Sequence, residues 1–197
     1  MQQQRVLAVA GLAALFVGIL VAVLAGVSAG GGDEQAASPS ATQPAAETTK
    51  APPVAAKPAP VRLRGLRGYD PEGDGRERDE TAALATDGNA ATAWTTERYS
   101  SFFKDGVGLL LDAGKPVTLT RVVVRTATPG VVAAIRVGAN PGGPFTPVTV
   151  AKRLTATTTF TPRARRGRYV VVWVDDIPGG GTAEINEVRA WRAGGAS

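Results

Sequence analysis

Between Val61 and Arg192 the chain breaks into short β-branched runs with turn residues between them, a pattern that leaves little room for helix. Leu119–Arg125, Val131–Val137, Pro147–Ala151, Thr157–Thr161, Arg168–Val174 and Ala183–Trp191 read as strands, because β-branched and aromatic side chains suit a pleated, half-buried surface. Turn chemistry separates them at Asp112–Pro116, Thr128–Gly130, Asn140–Pro144 and Pro178–Gly181. Tyr169–Val174 shows no alternation, which predicts a strand buried on both faces. Ala183–Trp191 alternates imperfectly, so a bulge is expected within it. Only Glu80–Ala85 reads as helical, with Asp79 as its N-cap and Gly88 just past its end. Many short strands and one short helix predict an all-β fold, a β-sandwich of the jelly-roll type.

What precedes this region has a different composition. Val6–Val27 carries no charge and is rich in Val, Leu, Ala and Ile; as a helix it spans ~30 Å, the thickness of a bilayer core. Arg5 lies before it, whereas Asp33 and Glu34 lie after it, which places residues 1–5 in the cytoplasm and the remainder outside. A cleaved signal peptide ending near Val27-Ser28-Ala29 is the alternative, although its apolar core usually runs about 7–15 residues. The expectation is a single-pass cell-membrane protein with an extracytoplasmic C-terminal domain. Residues 28–60 are mainly Ala, Pro, Thr, Ser and Gly with few charges and no large apolar side chain beyond Val54, and read as a disordered linker. Extended as polyproline II it would reach ~100 Å. Residues 61–192 form the expected domain, and 193–197 a short tail.

The absence of cysteine excludes disulfides and thiolate metal sites, and the absence of histidine removes the commonest general base and zinc ligand. A catalytic triad of the Ser-His-Asp kind is therefore unavailable. Asp175 and Asp176 occupy adjacent strand positions, where side chains face opposite sides and do not share one substrate. The reading is non-enzymatic. The formal charge of +5 falls entirely within Val61 onward, and a basic surface favours acidic partners. Nucleic acid is disfavoured, because the basic residues are not interleaved with aromatics. Arg163, Arg165, Arg166 and Arg168 make a basic turn that suits anionic wall polymers or phospholipid headgroups, or else a solvated hairpin tip.

The densest motif is Asp87-Gly-Asn-Ala-Ala-Thr-Ala-Trp94, in which a carboxylate, a turn glycine, an amide, a hydroxyl and a tryptophan fall within one tight loop. Ala85–Trp94, then Leu109–Gly114, then Ile185–Val188 resemble the discoidin-like (coagulation factor 5/8 type C) galactose-binding-like superfamily. With Tyr69–Glu77 upstream, the chain looks most like the extracytoplasmic C-terminal domain of actinobacterial MviN-like proteins. No flippase or kinase region of such proteins is present between Met1 and Ser197.

The resemblance implies a structural Ca²⁺ held by Asp87, Asn89, Thr92 and Glu187, a set mixing carboxylate, carbonyl and hydroxyl oxygens as calcium requires. Without metal, the same residues form an Asx turn in which Asp87 accepts backbone amides and Glu187 pairs with an arginine. Asp70, Glu72 and Asp74 mimic the start of an EF-hand loop, but Thr81 stands where the bidentate glutamate belongs. Arg98, Tyr99, Phe102 and Phe103, followed by Lys104, combine aromatic faces with cationic donors, as saccharide clefts do. The alternative is that Phe102 and Phe103 cover the open end of the sandwich. Galactose-binding relatives commonly use a histidine that this chain lacks. The expected partner is a cell-wall glycan or other carbohydrate, with an envelope protein, in a scaffold role, as the second reading.

Overall fold

One strand organises the molecule. In the computed structural model, which describes residues 57–194, β4 (Val107–Arg125) runs for 19 residues and belongs to both sheets of a sandwich. Its first half pairs with β2 (Arg64–Tyr69) on one side and β9 (Arg166–Asp176) on the other. Beyond β9 the sheet continues through β5 (Val132–Gly138) to the short strands β6 (Thr146–Pro147) and β7 (Lys152–Arg153). The second half of β4 pairs with β8 (Thr157–Phe160) and β11 (Glu187–Arg192), and β11 pairs with β1 (Ala59–Val61). All these pairs are antiparallel. A separate two-stranded ladder joins β3 (Trp94–Thr95) to β10 (Glu184–Ile185).

The crossover explains Asp112–Pro116. The sequence predicts a turn there, whereas β4 stays continuous and shifts register between Asp112 and Val117. Such a bulge bends a strand and lets it pass from one sheet to the other. Gly114 sits in the bulge at φ 75, a value that L side chains rarely adopt.

Alternation along β4 sends Leu109 and Leu111 into the space between the sheets, beside Val170, Val172, Val174, Ile135, Trp94 and Ile185. Leu110 points the other way and joins Val171 and Trp173 under a cover of Leu66, Tyr69, Phe145 and Tyr169. The front sheet (β2, β4, β9, β5) is thus buried on both faces, which is why Tyr169–Val174 lacks alternation. Each fully buried side chain of this size contributes about 1.5–3 kcal/mol.

Several boundaries differ from expectation. The helix is a 3-10 helix over Asp79–Thr86, and Arg78, at φ 52, holds the N-cap position without a side-chain cap bond. Asp79 is drawn off to β2 instead, its carboxylate accepting the Gly68 N–H at 2.9 Å. Gly65 and Gly68 make this docking possible, because a Cβ at either position would overlap the carbonyls of Ala82 or Glu77. Pro147–Ala151 is no single strand: pairing stops after Pro147 and resumes at Lys152, with Val148 buried in the gap. The irregularity in Ala183–Trp191 falls at Asn186, between β10 and β11. The folded part starts at Ala59, two residues inside the stretch read as linker.

Among the described residues no helix is long and apolar enough to cross a membrane. The segment Val6–Val27, most of the linker and residues 195–197 lie outside the described residues.

Candidate functional site

The Asp87–Trp94 loop is held at both ends. Trp94 is fully buried and its indole N–H donates to the Glu77 carbonyl at 2.8 Å. Asp87 accepts the Asn89 N–H through Oδ1 and the Thr92 hydroxyl through Oδ2, both at 2.8 Å. Asn89 Oδ1 in turn accepts the Ala91 N–H at 3.0 Å. Asn186, from the break between β10 and β11, ties the loop to the sandwich by donating to the carbonyls of Ala90 (3.1 Å) and Thr92 (3.3 Å). This is the Asx turn of the metal-free reading.

Glu187 behaves differently from that reading. Among the described residues it forms no ion pair with an arginine within 4 Å, and its Oε2 is buried with no hydrogen-bond partner. Burial pushes its carboxyl above the ordinary range and the charge of Asp87 adds to this, against Arg189, the Gly88 N–H and Arg125. Asp87 is thus close enough for its charge to be felt by the Glu187 carboxyl. The described residues contain no cluster of three or more His, Cys, Asp or Glu able to hold a metal. A calcium ion here would therefore need amide, hydroxyl and backbone oxygens beside the two carboxylates.

The other candidate set divides. Tyr99 is only 8% exposed, so its ring is part of the core rather than a stacking face. Its hydroxyl lies 2.9 and 3.1 Å from the two carboxylate oxygens of Glu77, a fully buried side chain. Lys104 donates to Asp70 and to the Tyr99 hydroxyl (3.3 Å). Burial and the Glu77 carboxylate push the Tyr99 hydroxyl far above its ordinary value. Burial also raises the Glu77 carboxyl, against the Glu97 N–H and Tyr99, which favour its charged form. Lys104, pulled down by burial, is held above its ordinary value by Asp70 and stays cationic.

This network fixes the loop that carries the remaining candidates. Tyr99 and Gly181 exchange backbone hydrogen bonds of 2.8 and 2.7 Å, and the Asp105 N–H donates to Glu72 Oε1 at 2.8 Å. Phe102 is half-buried, its ring edge-on to Tyr99 at 5.0 Å. Phe103 projects outward at 81% exposure, and Arg98 is exposed beside the same base. Of the four predicted residues, Arg98 and Phe103 are thus available at the surface, while Tyr99 and Phe102 support them.

The sequence offers Asp70 and Glu77 as residues that rigidify a polar loop, with a second calcium site or a solvated loop as the other readings; what it does not show is that Lys104, 34 positions from Asp70, joins them in one network. A second missed cluster sits on the outer face of the front sheet. There the Arg136 guanidinium stacks on Trp173 at 3.9 Å and lies 3.9 Å from Asp175. Arg136 Nε, Trp173 Nε1 and Asp175 Oδ2 are all buried without hydrogen-bond partners among the described residues. Burial lowers Arg136 and raises Asp175, each against the other's charge.

Solved structures of carbohydrate-binding modules share this sandwich architecture. The chitosan-binding module 1 derived from a chitosanase/glucanase of Paenibacillus sp. IK-5 is 19% identical, with a TM-score of 0.52 over 67% of this chain and 97% of that one. The family 32 carbohydrate-binding module of Clostridium perfringens NanJ, solved in complex with galactose, is 18% identical, with a TM-score of 0.51 over 68% and 99%. A third module, CBM32-3 from a family 31 glycoside hydrolase of Clostridium perfringens, is 11% identical, with a TM-score of 0.52 over 66% and 91%. No family model matches the chain. At these identities the likeness is one of fold.

Proposed function

We propose that this protein is a membrane-anchored, extracytoplasmic, non-enzymatic module that recognises cell-wall glycan through the loop end bearing Arg98 and Phe103. The observation that carries the reading is an aromatic face 81% exposed on a loop whose base is locked by buried ionic and backbone bonds. An exposed aromatic ring can stack on a sugar face, and a neighbouring guanidinium supplies hydrogen-bond donors. Solved neighbours named for chitosan binding and for a galactose complex support a saccharide ligand. The resemblance to MviN-like extracytoplasmic domains and the apolar run Val6–Val27 support the location at the cell membrane.

Calcium belongs to the same proposal as a structural ion. Asp87 and Glu187 would supply its charge, Asn89 and Thr92 further oxygens, and its effect would be to relieve the buried, unpartnered Glu187 oxygen.

The test is binding of the full chain, in non-ionic detergent, to a glycan array and to isolated wall fractions. Retention on a saccharide, lost with Phe103→Ala or Arg98→Ala, is expected. Recovery of a single envelope protein with no saccharide bound would turn the reading to the scaffold role.

A further inference from the structure

The end of the front sheet away from Phe103 is lined with cations. Arg64 faces Asp112 across β2 and β4, whereas Tyr69 faces Gly108, so the two ends of this ladder are roughly 13 Å apart at about 3.3 Å per residue. Three clefts of about 440, 220 and 390 Å³ lie at the Arg64 end. Arg62 and Ala113 are common to the first two, and Lys115, Val117 and Arg192 to the last two, so they form one continuous groove. Its charged lining is Arg62, Arg64, Lys115, Arg166, Arg168 and Arg192 against the single carboxylate of Asp112.

That carboxylate is already engaged. Arg168 grips it with two parallel bonds of 2.8 and 2.9 Å, and Arg64 stands 3.7 Å away. The bond to Arg168 draws the Asp112 carboxyl below its ordinary range, so it stays ionised and already matched by Arg168. Arg62, Lys115 and Arg166 are exposed and form no ion pair or side-chain hydrogen bond with the described residues. Arg163 and Arg165 lie exposed in the turn that feeds β9 at this end.

From this we infer a second binding site, an arginine-lined groove for a linear polyanion of repeating phosphate groups. Like charges held together by a fixed scaffold repel one another, and an anion bearing several charges along its length relieves that repulsion. Guanidinium forks match phosphate oxygens bidentately, and five of the six cations are arginine. Aromatic side chains are missing from the lining, so base stacking is not available and a nucleic acid gains nothing over a plain phosphate chain. The site is independent of the glycan reading, since no residue of the Arg98–Lys104 loop takes part.

The experiment measures binding of the full chain in non-ionic detergent to long-chain inorganic polyphosphate, orthophosphate and anionic phosphatidylglycerol vesicles. Expected is polyphosphate binding that falls steeply with added salt, as counterion release requires, and at least tenfold weaker binding of orthophosphate. The triple variant Arg62→Ala, Lys115→Ala, Arg166→Ala should bind polyphosphate at least tenfold more weakly. A control losing the same charge elsewhere, Arg125→Ala, Lys152→Ala, Arg189→Ala, should stay within about twofold if the groove rather than net charge is responsible. Equal weakening by the two triples, or binding to the vesicles without binding to polyphosphate, would overturn the inference. Thermal unfolding of both triples checks that each is folded.

Discussion

At the loop end of the front sheet, Asp70, Glu77 and Lys104 are largely withdrawn from water and each has a matched partner; at the crossover end, six cations surround one carboxylate and three of them have no partner among the described residues. Buried charges satisfied in this way fix a geometry, because breaking the arrangement strands a charge in a poorly solvated place. Exposed charges left unmatched fix little, but they attract from a distance and respond to salt. Under the proposed functions, one end is a platform for a neutral, shape-matched ligand and the other an electrostatic groove, with Phe103 proposed for shape recognition and Arg62, Lys115 and Arg166 for charge recognition.

Removing the centre of the buried network should have the largest effect. Glu77→Ala deprives the Tyr99 hydroxyl and the Glu97 N–H of their acceptor, and should destabilise the domain by about 2–5 kcal/mol in denaturant unfolding, at about 1–3 kcal/mol per stranded donor. A loss below about 1 kcal/mol would mean that the network does not lock the loop. Tyr99→Phe keeps the ring and removes only the hydroxyl, which should cost about 1–3 kcal/mol. It should also weaken saccharide binding, although Tyr99 itself offers no exposed face.

The pH dependence sharpens the same comparison. Burial raises the folded-state carboxyl of Glu77 above its unfolded value, so the native state holds a proton that the unfolded chain releases. Its contribution to stability is greatest below the unfolded value and declines as pH rises through the raised folded value. Glu77→Gln should flatten the stability curve in that window. Asp112 at the other end has the opposite sign: Arg168 lowers it, and its contribution is lost as pH falls through the depressed folded value. An unchanged pH–stability curve in Glu77→Gln would count against the buried-carboxylate account.

Calcium should raise the unfolding midpoint of the full chain relative to chelator, by about 2.7 kcal/mol in stability at a hundredfold excess over Kd. Glu187→Gln should abolish the shift, and a parent chain indifferent to millimolar calcium would remove the ion from the site.

The sandwich was legible because strand periodicity and turn residues report burial directly, as at Tyr169–Val174 and Thr157–Thr161. The crossover was not, since Asp112–Pro116 has the composition of a turn, and only the pairing of both halves of β4 shows that the strand continues through it. Asp87, Asn89 and Thr92 were readable as one loop because they are contiguous. Glu187 came with them only through the resemblance, since β11 reaches that loop by tertiary packing. Tyr99 was misplaced for a related reason: an aromatic next to an arginine looks alike in sequence whether its ring is exposed or buried. Its burial depends on Glu77, 22 positions earlier.

Phe103 offers the most direct test, since its removal should alter recognition while leaving the fold intact. Phe103→Ala should change stability by no more than about 0.5 kcal/mol, as expected for an exposed side chain. In titrations of the full chain against the saccharide retained on the array, it should weaken binding at least tenfold. Affinity equal to that of the parent, in a variant with an unchanged unfolding curve, would contradict the assignment of this loop end as the recognition surface.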